Sequence, residues 1–466
     1  MNKTSRNKKK GRILSIVLTV AMVLSMMPSL AFAAPPVTLP HENHKVCGAI
    51  GDCTHTGESH TGTITYKPLT ADGGVLSGDY YLTENVTLTT NITVNGTGKL
   101  NLCLNGYALK GTASSAVFTV EAGGTLNICD CKPTEGSHKF TKDEDGKYVL
   151  GGSGTEVPPI TGGVITGGNR SAGGGIYNSG TTTISGGTII GNKATHGGGI
   201  HNSLGGTTTI TGGTIKGNTA QDGGGIYNDG ETTINGGTIT GNTAKDVGGI
   251  FNAGKITISG GTITGNTAKM GGGIYNSSGG TTTINGGTIT GNTAIDKSGA
   301  GVNDSINGGG IFNDGEITIN GGTIKENTAT NAGGGIFNDG KTTINGGTIE
   351  KNTAVAGGGI FNNGNSKVII ARGAITGNTA SSDGGGIHNN NGTTTITGGT
   401  ITGNTAPIGG GVYNRSGEQL NLQGQVEING NTKLDKTTPS NLFLGGNDLK
   451  ITGDLTNDTK IGVSGG

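Results

Sequence analysis

The chain has 466 residues, 98 of them glycine, with no tryptophan, 30 % hydrophobic content and a formal net charge of zero. Glycine on that scale without a three-residue period excludes collagen, and so little apolar material excludes an ordinary globular core unless repeated units share one. The charge balance excludes a dedicated polyanion binder, so no nucleic acid is expected as a partner.

Residues 1–33 read as a signal peptide. Lys3, Arg6, Lys8, Lys9, Lys10 and Arg12 make a basic start, Ile13 to Met27 are mostly apolar, and Pro28 breaks the run. Ala31-Phe32-Ala33 then supplies a small-x-small cleavage site. Cleavage at about Ala33 removes six basic residues and no acids, which takes the mature chain from zero to −6. Nothing after it is apolar for long enough to make a transmembrane span, so a secreted or cell-surface location is expected. No sorting signal or anchor precedes Gly466, which suits a freely secreted protein or the front of a longer one.

Residues 34–63 form a polar lead-in carrying His41, His44, Cys47, Cys53, His55 and His60. These ligand types suit zinc, but the spacing matches no standard zinc module. A Cys47–Cys53 disulfide or a plain linker fits equally, and no metal or cofactor is assigned.

Residues 64–160 alternate like strands, as at Ile92-Thr93-Val94 and Leu100 to Leu104, and are expected to be a cap and opening coils. Leu-Asn-Leu-Cys ending at Cys103 and Leu-Asn-Ile-Cys ending at Cys129 lie 26 residues apart, the length of one coil. Stacked Cα atoms at about 4.8 Å fall within disulfide reach. Cys103 is thus expected to bond Cys129, with Cys131 as an alternative partner and free thiols also open.

Residues 161–417 are a tandem repeat. Gly-Gly-Gly-Ile-(Tyr/Phe/His)-Asn begins at Gly173, Gly197, Gly223, Gly271, Gly308, Gly333, Gly357 and Gly384. Variants with Val412 for Ile and Val247 for the first Gly complete the series, at spacings mostly of 24 to 27 residues. Each unit continues as in Thr232 to Ala244, Thr-Thr-Ile-x-Gly-Gly-Thr-Ile-x-Gly-Asn-Thr-Ala. Gly and Thr are poor helix formers and no 3.6-residue apolar stripe exists, so helix is excluded. Ile226, Ile234 and Ile239 instead sit in β-type stretches bounded by Gly pairs. The expected fold is all-β: a right-handed parallel β-helix solenoid with about three short strands per coil of about 25 residues.

In-register stacking places like residues in columns. Asn192, Asn218, Asn242, Asn266, Asn292, Asn327, Asn352, Asn378 and Asn404 form one, expected to be a structural ladder of amides. Glu231 falls over Lys255, Glu316 over Lys341, Lys325 over Glu350 and Glu326 over Lys351. A loop is expected between Ile295 and Asn307. Residues 418–466 read as degenerate closing coils.

With these motifs in view, the repeat resembles those of chlamydial polymorphic membrane proteins, with Ile-x-x-Asn where that family has Phe-x-x-Asn. It is also similar to secreted β-helix proteins of the pectin-lyase-like superfamily, over roughly residues 160–431. That resemblance implies an adhesin or display rod. It also keeps a polysaccharide lyase or glycoside hydrolase as a rival, with a passive spacer of a longer anchored protein as a third reading.

Catalysis is not expected and no catalytic residue is assigned. Most repeat-borne acids sit in turns or beside a Lys of the next coil, and Asp229, Asp314 and Asp339 share a turn position where Asp is favoured. Beyond the signal peptide, Arg170, Arg372 and Arg415 occupy unrelated repeat positions. The Thr-x-Thr pairs, such as Thr238/Thr240 and Thr262/Thr264, resemble arrays of ice-binding solenoids, but Lys216, Lys325 and Glu350 interrupt them. The candidate binding residues are the rings beside the Ile column: Tyr177, Tyr227, Phe251, Tyr275, Phe312, Phe337, Phe361 and Tyr413, with His201 and His388 in the same series. Strand alternation sends them outward, suited to glycans or host and cell-surface proteins. The other readings are rings that only stack on one another or that face inward.

Overall fold

The structure, a computed structural model, describes residues 53–55, 64–69 and 73–463, apart from 113, 145, 296–306, 416, 418, 447, 448 and 457. The signal peptide, most of the Cys/His lead-in and the body of the expected 295–307 loop lie outside the described residues.

One coil shows how the sequence makes the fold. Ile226–Asn228, Glu231–Ile234, Thr238–Thr240 and Thr243–Val247 are short strands separated by glycine-bearing bends. Their side chains alternate, so Ile226, Ile234 and Ile239 point inward and are at most 1 % exposed. Ile226 pairs in parallel with Ile250, Ile234 with Ile258 and Ile239 with Ile263, as in-register stacking requires. Repeating this puts the Ile-x-Asn strands in one 14-stranded sheet with Gly74–Val75, Ile92–Val94 and Phe118–Val120 before them and Val412–Asn414 and Leu442–Leu444 after them, hence a parallel β-solenoid of about 14 turns. A 28-stranded sheet holds the Thr-Thr-Ile and Thr-Ile-Thr strands. The fourth strand, Thr-Ala, contributes a nine-stranded sheet that was not anticipated. Its alanines, including Ala268, Ala294 and Ala329, are buried where the corner leaves room for a methyl group.

The interior is one continuous apolar column from Leu69 to Leu442, Leu-rich in the opening coils and Ile-rich in the repeat. Each fully buried Ile or Leu contributes about 1.5–3 kcal/mol of transfer free energy. The Asn column of the sequence analysis is an amide ladder. Each Nδ2 donates to the Oδ1 of the next Asn at 2.9–3.1 Å, from Asn192 through Asn404 and on to Asn431 and Asn441. The same Oδ1 also accepts a backbone N–H, so no polar valence at these sites is wasted. A second ladder, Asn178, Asn202, Asn228, Asn252, Asn276, Asn313, Asn338, Asn362, Asn389 and Asn414, runs at 2.8–2.9 Å beside the Ile column. Thr182, Thr208, Thr232 and Thr282 donate to it.

Charge stacking is only partly as expected. Lys255 Nζ lies 3.5 Å from Glu231 and Lys341 Nζ 2.6 Å from Glu316. Lys325 is in register with Glu350, but its ammonium sits 4.0 Å from Glu326 of its own coil. These pairs are half-exposed, and each is worth at most about 1 kcal/mol.

Two features depart from a simple rod of coils. Thr125–Cys129 pairs directly with Thr181–Ile184, and part of the chain between them, residues 137–161, leaves the stack before Val164–Thr166 rejoins it against Ala108–Lys110 and Thr188–Ile190. The departing segment forms an antiparallel sheet of Phe140–Lys142, Tyr148–Leu150 and Thr155–Glu156, anchored by Phe140 and Tyr148 against Ala108, Val164 and Ile190. The disulfide also differs from the first expectation. Cys129 is the register partner of Cys103, but the bond joins Cys103 to Cys131, and Cys129 is a buried free thiol. Among the described residues, no helix is long and apolar enough to cross a membrane.

Candidate binding groove

The ring column forms as the alternation predicts, with the Ile side chains inward and the rings outward. Tyr177, His201, Tyr227, Phe251, Tyr275, Phe312, Phe337, Phe361, His388 and Tyr413 stack with centroids 4.4–5.7 Å apart. Interplanar angles are mostly below 20°. Phe443, absent from the sequence-derived set because it lies beyond the last motif copy, caps the column 5.1 Å from Tyr413. Arg170 lies over the other end, 4.8 Å from the Tyr177 ring centre.

Stacking decides what these rings offer. In a parallel in-register array each ring sits over the next at the strand spacing, so the faces cover one another. Only the ring edges line the surface, and Phe312 and Phe337 are 7 % and 5 % exposed. A sugar cannot lie flat on a face along the column. The column is instead the floor of a groove.

Two further columns wall it. The Thr-Ala corner brings His196, Asp222 and Val247 into successive register, followed by Met270, with Ala332, Ala356, Asp383 and Ile408 in the later coils. The residues after the ladder Asn supply the other wall, with Asp229, Asp314, Asp339, Asn363, Asn390 and Arg415. Beside Ala332 and Ala356 the groove opens into a cleft of about 510 Å³ over Phe337, Phe361, His388 and Tyr413. That volume is in the range of small-ligand sites.

Along the cleft a hydrogen-bonded rail crosses four coils. Arg415 donates to Asn390 Oδ1 at 2.7 Å, Asn390 to Asn363 Oδ1 at 3.1 Å, and Asn363 to Asp339 Oδ1 at 3.2 Å. On the opposite wall Asn331 donates to Asn307 at 3.0 Å. Arg415 stands at a repeat position unlike those of Arg170 and Arg372, so no column of arginines marks it in the sequence. Coil stacking brings it to the same cleft as Asp383 and His388. No spacing within one repeat carries that signal; only the alignment of successive turn positions does.

Electrostatics in the groove follow burial. Desolvation pushes the carboxyls of Asp222, Asp229 and Asp314 up, aided at Asp314 by Asp339 and opposed at Asp222 by His196. Burial pushes His201 down to about 4, helped by the His196 and Arg170 charges. Burial likewise lowers His388 to about 4, with Arg415 assisting and Asp383 opposing. Asp229 Oδ2 lies 3.7 Å from His201 Nε2, but desolvation outweighs that contact and the ring stays neutral. The Nδ1 atoms of both rings are buried without a hydrogen-bond partner.

A pH dependence follows. Between about 6.5 and about 4 the unfolded chain protonates these two histidines while the folded chain does not, so stability falls as pH drops through that window. The His201→Phe/His388→Phe double variant is expected to recover up to about 5 kcal/mol at pH 4.5 relative to pH 7.5, about 2.5 kcal/mol for each ring. Urea unfolding of both proteins at the two pH values checks this. The raised carboxyls act in the opposite sense but are common to both, so they cancel in the difference.

Among the described residues, the one convergent group of three metal-ligand side chains is Cys103, Cys129 and Cys131, away from the groove. Comparison with protein-family models, with curated proteins and with solved structures gives no match to this chain.

Proposed function

We propose that this chain is an exported surface-display rod that adheres to an extended polysaccharide through the groove over its ring column. The observation that carries this is the cleft from Phe337 to Arg415, where a hydrogen-bonded rail of Arg415, Asn390, Asn363 and Asp339, one coil apart, faces a floor of ring edges. A chain of sugars presents hydroxyls at a regular pitch near the strand spacing, and Asn side chains offer both donors and acceptors to such groups. Export is supported by the basic and apolar start with Ala31-Phe32-Ala33. The Gly-Gly-Gly-Ile and Ile-x-x-Asn motifs, similar to those of polymorphic membrane proteins and pectin-lyase-like β-helices, support adhesion and surface display.

The test is a glycan array and polysaccharide pull-down with the mature chain and with Ala356→Trp, which fills the cleft from its wall. Binding is expected, reduced at least about tenfold by the substitution, with circular dichroism unchanged. Failure to bind any polysaccharide, or equal binding by the filled variant, removes the reading.

A lyase or hydrolase is the second reading, favoured by one observation: Asp383, His388 and Arg415 line the same cleft. Incubation with neutral and acidic polysaccharides separates the two. Shortened or unsaturated products would make the groove a catalytic one, and intact polymer recovered from the complex keeps it a binding one.

A further inference from the structure

We propose that Cys103, Cys129 and Cys131 form a binding site for a soft metal ion such as Cu(I), closed when two of them are joined as a disulfide and open when that bond is reduced. The site is independent of the groove. Cys103 ends the strand Lys99–Cys103 and Cys129 ends Thr125–Cys129, and the two are parallel register partners in adjacent coils. Cys131 follows after one residue, on a turn fixed by the buried Asp130. Its carboxylate accepts the backbone N–H groups of Gly106 at 2.8 Å, Gly163 at 2.6 Å and Lys132 at 3.3 Å. Two coils and a pinned turn thereby bring three sulfurs within 4.8 Å of one another.

The chemistry of that set is specific. Three thiolates around one ion at about 2.3 Å stand about 4 Å apart, so the bonded sulfurs of Cys103 and Cys131 separate on reduction while that of Cys129 has only a short way to close in. No imidazole joins the group, and the Asp130 oxygens are engaged by the turn, leaving an all-sulfur set that selects soft ions. Tyr66 and Tyr81 pack against Cys103 and Cys129, keeping the site dry, while the partly exposed Cys131 gives it a mouth. A plain staple needs two cysteines; the third, held in register, is what the metal reading accounts for. Ser185 follows the strand Thr181–Ile184 that stacks next on Thr125–Cys129, so the cysteine column stops at two coils.

Opening takes two electrons. Two molecules of a thiol reductant form one disulfide between themselves, and their hydrogens pass to the sulfurs of Cys103 and Cys131 as the protein S–S bond breaks. Metal binding then replaces up to three thiol protons, which leave to solvent.

The experiment uses the mature chain carrying Cys47→Ser and Cys53→Ser, so that Cys103, Cys129 and Cys131 are the cysteines that remain. The reduced protein is titrated without oxygen with Cd²⁺ and with Cu(I), following the ultraviolet sulfur-to-metal absorption and the melting temperature. One ion per chain is expected, with a thermal shift that disappears on reoxidation and affinity at least about 100-fold lower in Cys129→Ser. Absence of uptake by the reduced chain overturns the proposal, as does unchanged uptake in Cys129→Ser. Should that variant fail to fold, the parent alone decides: a thermal shift that survives reoxidation overturns it, and one confined to the reduced form supports it.

Discussion

Replacing Asn292 by Leu is expected to destabilise the solenoid by about 3–5 kcal/mol, one of the largest costs of any single side-chain change in the repeat. Asn292 is fully buried. Its Nδ2 donates to Ile263 O at 2.9 Å and to Asn327 Oδ1 at 3.0 Å, and its Oδ1 accepts from Asn266 N and Asn266 Nδ2, both at 3.0 Å. Leucine has nearly the same size but none of these bonds, so two donors of Asn266 and a carbonyl of Ile263 lose a partner inside a dry wall. Each buried unsatisfied group costs about 1–3 kcal/mol. The outer amides make the control. Asn320 donates to Asn285 and Asn345 to Asn320 at 2.9 and 3.0 Å, but this column is exposed to solvent. Asn320→Ala is expected to stay within about 0.5 kcal/mol of the parent. Urea unfolding gives the total cost, and hydrogen exchange shows whether the loss is centred on the coils that flank residue 292. Equal costs for the two substitutions would mean that the buried ladder is not what fixes the turn.

Gly310→Ala is the second large effect, expected to cost about 3 kcal/mol or more and to open the stack locally. A β-carbon there would lie 2.6 Å from the carbonyl oxygen of Gly335 and 3.0 Å from Asn327 Nδ2. That carbonyl accepts the Ile311 N–H at 2.9 Å, so the methyl group would push apart two strands that must stay bonded. Gly241 offers the contrast. It has φ of +60° and no atom within 4 Å of its added β-carbon, so alanine meets only the left-handed backbone cost of about 1–2 kcal/mol. The chain makes that exchange itself: Glu326 and Lys351 stand at the equivalent corner with φ of 55° and 54°. Comparing the unfolding midpoints of Gly310→Ala and Gly241→Ala distinguishes crowding between coils from backbone strain. If the two prove equal, the glycine triplet is a bend requirement and not a close-contact one.

The sequence by itself determined the solenoid, its in-register pairing and the columns of Ile, Asn and rings. It did so because the hydrophobic and amide periods repeat at the coil length, and a parallel stack places every repeat-equivalent residue on an axial neighbour. The same logic marked the Cys103 and Cys129 coils as neighbours. Tertiary structure alone decided which cysteine bonds Cys103, because the Asp130 turn carries Cys131 back to Cys103 and no periodicity describes a turn. It alone decided that the rings show edges and not faces, since outward orientation follows from alternation but the tilt of each ring follows from packing on the next. The antiparallel insertion around Phe140 and the Thr-Ala sheet were hidden for the same reason, the first outside the period and the second too short to read. The cleft, finally, lies over several coils beside Ala332 and Ala356. A small residue is silent in a repeat consensus, and becomes a cavity only when the walls of several coils are brought together.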